Sequence, residues 1–442
     1  MTRPLSWQSP FVVAVTSLLV LTLPLLMGNR TPLTLSGSGA LLVFGGLLIG
    51  LAGVAGPARS SLQPLPAKWW LFSGVLTVWI VLQILPLPGL ARALGAYPDA
   101  LWTGQYLPAQ WSPNPAASVR AWAVFMALMM IAWGVSSLDP VRRNLVWLVI
   151  AGSALFQAFY GLMAHASGAE SIFGVWQRNN PGYVHGSFSN RNLYAGYLAL
   201  TWPLVISVWW RRSMPLLSRL PFELRVAGAV ICGAVVGAAL LGSASRLGSA
   251  AGVFGMLVGL VLWTRMRRQH NRGATWPMYL AAVAALVAAT WYGLTPLAER
   301  LAISRIEERR FDIVRLMLFE TEPVWWLSGV GLGGFEAVFK QVQPGDMKGW
   351  YDFAHNDLLQ WLFEMGIVGA GLLVAVLAAI WNNARLCRET IPLFAGLAAL
   401  ALVALGDFSW HLPATQVVLA VFIGTLLRKK SGHNAPQAMT LV

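Results

Sequence analysis

Apolar stretches of about 20 residues recur from one end of this chain to the other, separated by short polar segments. Roughly 20 residues of helix cross the ~30 Å of hydrocarbon in a bilayer. Lipid offers no partner to a free backbone group, so such stretches must be helical. The short alternating strands of a membrane barrel are absent. Only 11% of the 442 residues are charged, against roughly 25% in a soluble domain, and the mean hydropathy is +0.62. Length alone would allow two or three soluble domains, but the recurring runs predict a single all-α membrane domain over 1–442. The expected spans are twelve: 11–28, 37–56, 69–88, 118–136, 143–163, 190–209, 226–244, 248–264, 275–294, 357–380, 391–407 and 413–427. The first lacks a small-residue cleavage site and is followed by further spans, which predicts a retained helix rather than a leader. Cys232, in a predicted span, and Cys387, in a predicted loop, suggest neither a disulfide nor a metal site.

The net charge of +14 is unevenly spread. With both termini assigned to the cytoplasm, the cytoplasmic segments hold 18 basic residues and only Asp139, Glu223 and Glu389 as acids, a net +15. The remaining 13 basic and 14 acidic residues give −1 outside. Basic residues in short loops fix the cytoplasmic side and favour anionic lipid headgroups. The positive excess is thus an orientation signal, and nucleic acid is not needed to explain it.

Three outer segments are longer than topology requires: 89–117, 164–189 and 295–356. Trp102, Tyr106 and Trp111 in the first fit interface anchors better than sugar-stacking groups. The third, a large loop between the ninth and tenth spans, is too long to lack structure of its own. Residues 299–319 read as an amphipathic helix that could lie on the outer leaflet or fold over the membrane body. The later "GVGLGGF" at 329–335 lacks the glycine spacing and lysine of a nucleotide loop; it predicts a tight turn or close backbone packing.

Charged groups at membrane depth need a partner, an aqueous cavity or a task. Arg191, between Asn190 and Asn192 at the mouth of the sixth span, fits either a two-pronged grip on phosphate or a headgroup contact. Arg246 in "SASRLGS" has the same two readings. Arg309, Arg310 and Arg315 lie in the loop helix, where Glu307, Glu308 and Asp312 offer local ion pairs. In "DFAHNDLLQWLFEMG" at 352–366, His355 precedes the tenth span, with Asn356, Gln360 and Glu364 following. A histidine there fits a proton acceptor for a hydroxyl or a structural cap. Asp407 and His411 in "GDFSWH" read as loop or interface residues, and His165 and His185 stay uncommitted. No cluster has zinc spacing; Asp346, Asp352 and Asp357 would hold a divalent ion only if the loop gathered them.

Four segments carry a resemblance: "GSFSNRNLYAGYLAL" at 186–200, "SASR" at 243–246, "RFDIVRLMLFETEPVWWLSGVGLGGF" at 310–335 and "AHNDLLQWLFEMGIVG" at 354–369. With the multi-span body, the chain resembles the O-antigen ligase and O-antigen polymerase superfamily over most of its length. The resemblance implies a GT-C-like glycosyltransferase fold of about twelve helices in the bacterial inner membrane, with a cavity facing the periplasm. It implies a donor glycan on undecaprenyl diphosphate, and lipid A core or a second lipid-linked glycan as acceptor. No cofactor or metal is implied, and transfer would invert the anomeric centre. Arg191, Arg310, Arg246 and Arg315 would hold the diphosphate. His355 would serve catalysis, with Glu364 as alternative base, and Asn190, Asn192, Asn356 and Gln360 would position sugars. Leu193 stands where relatives often have histidine, and the stretch at 325–329 departs from the usual "PlfG" pattern. Transfer to protein, or transport of a lipid-linked sugar or small metabolite, are the alternatives; neither an inverted repeat nor charged midplane residues favour transport.

Overall fold

A computed structural model describes residues 7–26, 32–55, 67–93, 110–178, 181–210, 215–270, 308–384 and 386–427. The chain is a largely α-helical, multi-pass membrane protein. Among the described residues nine helices are long and apolar enough to cross a bilayer: α1 (Gln8–Leu25), α2 (Pro32–Val54), α3 (Ala67–Ile84), α4 (Pro115–Ser136), α5 (Pro140–Ala166), α6 (Arg191–Ser207), α7 (Phe222–Gly242), α8 (Arg246–His270) and α12 (Asp357–Asn383). Between α8 and α12 lie three shorter helices, α9 (Glu308–Phe319), α10 (Pro323–Ser328) and α11 (Phe335–Val342). The chain then adds two shorter apolar helices, α13 (Ile391–Ala404) and α14 (Pro413–Leu426). The expected span 275–294 and the first part of the expected loop helix, 299–307, lie outside the described residues.

Helix starts are written in local chemistry. Asn114, Asp139, Asn190 and Asn356 each accept a backbone N–H of the first turn, and Pro115 and Pro140 follow two of them. Among the described residues the expected all-α character is broken once. Residues Ser171–Ile172 and Trp176–Gln177 form a two-residue antiparallel pair in the loop after α5.

Helix α6 is the axis of the bundle. Nearly every side chain from Leu193 to Ile206 is buried, against α5, α7, α8 and α13. Its tyrosines find polar partners there: Tyr194 donates to the Gln157 carbonyl at 3.1 Å, and Tyr197 shares a hydrogen bond with Ser153 at 3.0 Å.

The large loop has a core of its own. Ile313, Met317, Trp325, Phe335 and Phe339 pack with Phe363 of α12, so one face of the amphipathic helix folds over the membrane body. Trp111, expected as an interface anchor, is instead buried and donates to the Gly329 carbonyl at 2.8 Å.

Helix α12 is broken at Gly366, where φ is 58° and ψ −148°. The break leaves the carbonyls of residues 363–365 short of helical partners, and hydrocarbon cannot supply any. The glycine-rich segment does: Val330 donates to Phe363 at 2.9 Å and Gly331 to Glu364 at 3.0 Å. Trp79 and Gln83 of α3 complete the set on Met365 and Glu364, at 3.2 and 3.3 Å. Close backbone packing, one of the two expectations for "GVGLGGF", describes this seam.

Candidate functional site

The starts of α6, α8 and α12 meet the turn between α13 and α14 at one end of the bundle. Ser409 of that turn lies against Gly196 of α6, Leu247 of α8 lies against Gly406, and Asp357 donates its backbone N–H to the Asp407 carbonyl at 3.2 Å. The other four segments singled out in the sequence converge on this turn. Arg310 of α9 donates through Nη1 to the Gly406 carbonyl at 2.9 Å and lies 3.7 Å from Asp407 Oδ2. His355 Nδ1 lies 3.7 Å from the other oxygen of the same carboxylate, and its ring stands edge-on to Phe408. His355 also has φ 54°, a left-handed conformation that a side chain rarely adopts. The packing around it holds the ring in place at that cost.

A second pair crosses the first. His411 Nδ1 is 2.6 Å from Asp357 Oδ1, and the Trp410 N–H donates to Asp357 Oδ2 at 2.8 Å. Each segment therefore supplies a histidine to the other's aspartate. From the sequence, Asp407 and His411 read as loop or interface residues. Their partners lie about fifty positions away, and no local spacing announces them; a carboxylate at the end of an apolar run was the one available signal.

Arg191 is the first residue of α6 and is 6% exposed. Its guanidinium stacks on the Tyr183 ring, 4.1 Å from Cζ to the centroid. Among the described residues its Nη1 is buried without a hydrogen-bond partner. The hydroxyls of Ser189, beside it in sequence, and of Ser409, on the shared turn, are in the same condition. Stacking occupies the face of the guanidinium and leaves its N–H edge for another group. Tyr183 is held in turn by Arg178, which donates to its carbonyl at 3.0 Å. Neither residue stands out in the sequence.

Arg246 opens α8 half-buried, after a turn in which Ala244 has φ 49°. Its neighbours Leu247 and Gly248 touch Gly406 and Ala195, so this helix start stands between the Asp407 turn and the first turns of α6.

Other expected site residues serve the scaffold. Glu364 has both oxygens committed: Oε2 accepts from Gly333 at 2.8 Å, and Oε1 from Phe335 at 3.3 Å and Gln360 at 3.0 Å. A carboxylate so occupied ties the glycine-rich loop down. Gln360 accepts from the Ala354 N–H at 2.9 Å. Asn356 caps α12 and donates to the Leu405 carbonyl at 3.0 Å. Asn190 caps α6 by accepting from Asn192, whose side chain is half-buried beside Arg191. Arg315 is exposed on α9. Asp346, Asp352 and Asp357 do not form a cage; among the described residues no group of three or more His, Cys, Asp and Glu is placed to hold a metal. In comparison with known proteins, the chain matches no family model and no curated protein.

Proposed function

We propose that the protein is a GT-C-like inner-membrane glycosyltransferase of about twelve helices. It moves a glycan from undecaprenyl diphosphate to an acceptor hydroxyl on the periplasmic side. Arg191 carries the reading: a cation 6% exposed, stacked on Tyr183, with a buried N–H that no described residue accepts. Buried donors without acceptors are rare in folded proteins, and a buried cation needs an anion. Arg310 and the start of α8 at Arg246 stand across the same turn. The starts of α6 and α8 add partial positive charge of their own. As the glycosidic C–O bond breaks, negative charge grows on the leaving diphosphate, and fixed guanidiniums in a partly desolvated site stabilise it. His355 orients the acceptor hydroxyl.

The test is transfer by the purified chain from a defined polyprenyl-diphosphate oligosaccharide, read by mass spectrometry with and without chelator. A lengthened lipid-linked product means polymerase, a product that needs lipid A core means ligase, and a glycosylated peptide means protein transfer. Arg191→Ala is expected to lower kcat/KM by about 10²–10³ with the fold retained, and His355→Ala to lower transfer as well. Parent-rate transfer by Arg191→Ala would remove the arginine from the chemistry. Activity abolished by chelator would replace the arginines with a metal.

A further inference from the structure

The two crossed histidine–aspartate pairs differ in geometry, and the difference separates their roles. At 3.7 Å the His355–Asp407 contact is too long for a hydrogen bond. Asp407 also faces Arg310 and accepts from the Phe408 N–H at 3.0 Å. Nothing there fixes which nitrogen of His355 carries the proton. The His411–Asp357 contact is 2.6 Å, to a carboxylate with no solvent exposure whose second oxygen is taken by Trp410. An ionised carboxylate only accepts, so the proton of a neutral His411 sits on Nδ1 and the lone pair on Nε2. Nε2 has no hydrogen-bond partner among the described residues, and the side chain is 29% exposed. A buried carboxylate that sets the tautomer of a reachable imidazole is the arrangement of an oriented general base.

We propose that His411, held by Asp357, takes the proton of the acceptor hydroxyl, while His355 only orients that hydroxyl; the assignment rests on the glycan-transfer reading. The acceptor oxygen forms the new bond to the anomeric carbon, and its proton passes to His411 Nε2. The old C–O bond breaks with its electron pair on the diphosphate oxygen. The imidazolium then returns its proton to water, and Asp357 stabilises it in the interval.

The charges around the ring favour this. Asp357 and Glu364 of α12 and Asp352 of the preceding loop all act on His411, with Asp407 beside Asp357. Helices α13 and α14 carry no charged side chain, and α6 carries only Arg191. Burial pushes the imidazole down, but the bond to Asp357 and these acids more than offset it, and the net effect is upward from 6.5. A base must be neutral to act, so transfer falls as pH drops through that raised value.

The experiment is steady-state transfer by the purified full chain, with donor binding measured in parallel. His411→Gln is expected to lower kcat by about 10²–10⁴-fold with donor Kd unchanged. Asp357→Asn is expected to move the acid limb of kcat/KM to lower pH and to lower the plateau. His411→Gln at the parent kcat would overturn the assignment while the parent's own transfer keeps the glycan-transfer reading. Joint loss of donor binding and transfer would make His411 structural and overturn it too. A parent that transfers nothing would overturn both.

Discussion

Arg178, in the loop before α6, and Arg191, the first residue of that helix, are both buried, yet they do opposite work. Arg178 donates to the carbonyls of Ala164, Ala169 and Tyr183 and, through Nε, to His185 Nε2 at 3.0 Å. It is saturated and acts as a staple, whereas Arg191 keeps an N–H in reserve. His185 is fixed as a neutral ring: Nε2 accepts from Arg178, so Nδ1 donates to the Phe188 carbonyl. Burial and then the Arg178 charge push it down to about 4. Unfolded, it would titrate near 6.5. The stability it contributes is full above about pH 6.5 and is lost as pH falls through 4. Thermal unfolding in detergent between pH 7 and pH 4.5 is expected to show a falling midpoint that His185→Gln flattens. An unchanged slope would place the titration elsewhere. Spacing could nominate His185 and Arg191 from the sequence, but it could not sort staple from free donor. That distinction rests on carbonyls contributed by residues 164, 169 and 183, which only the folded loop brings together.

At the scale of the element, hydropathy made the nine long apolar helices legible, because about 20 apolar residues are what a helix needs to cross a bilayer. It left the break in α12 hidden, since a glycine in an apolar run is as common in straight membrane helices. Gly366 is different in having φ 58° and in lying where a Cβ would run into the Leu327 carbonyl and the Gly329 N–H. Gly371, in the same helix, has nothing within 4 Å of such an atom. Gly366→Ala is therefore expected to destabilise the protein by about 2–4 kcal/mol through backbone strain and collision. Gly371→Ala is expected to be neutral or stabilising by about 0.5–1 kcal/mol. Equal unfolding midpoints for the two variants in detergent would contradict this account. The break also bears on transport, where broken helices turn freed carbonyls toward a ligand. Here Val330, Gly331, Trp79 and Gln83 take those carbonyls, and Glu364 is spent on Gly333 and Phe335. The interruption is a seam that anchors the loop carrying Arg310 and His355.

Across the whole molecule the two ends of the bundle differ in what their charges do. One end gathers Arg191, Arg246, Arg310 and the crossed histidine–aspartate pairs around the turn after α13. The other holds the Arg142–Asp139 and Arg143–Glu389 pairs at 2.6 and 3.1 Å, and Arg388 over Trp263. The excess of arginine in its short loops is what the charge bias places in the cytoplasm. On the proposed orientation Lys348, exposed in the large loop, is expected outside and Leu386, exposed between α12 and α13, inside. Both can be probed in a Cys232→Ser, Cys387→Ser background. In intact spheroplasts a membrane-impermeant thiol reagent is expected to label Lys348→Cys and to reach Leu386→Cys only after permeabilisation. The reverse pattern would turn the arginine-rich site toward the cytoplasm, away from glycans displayed on the outer leaflet. It would then remove the proposed substrate while leaving the fold untouched, so the orientation of the bundle carries as much of the functional argument as any one residue in it.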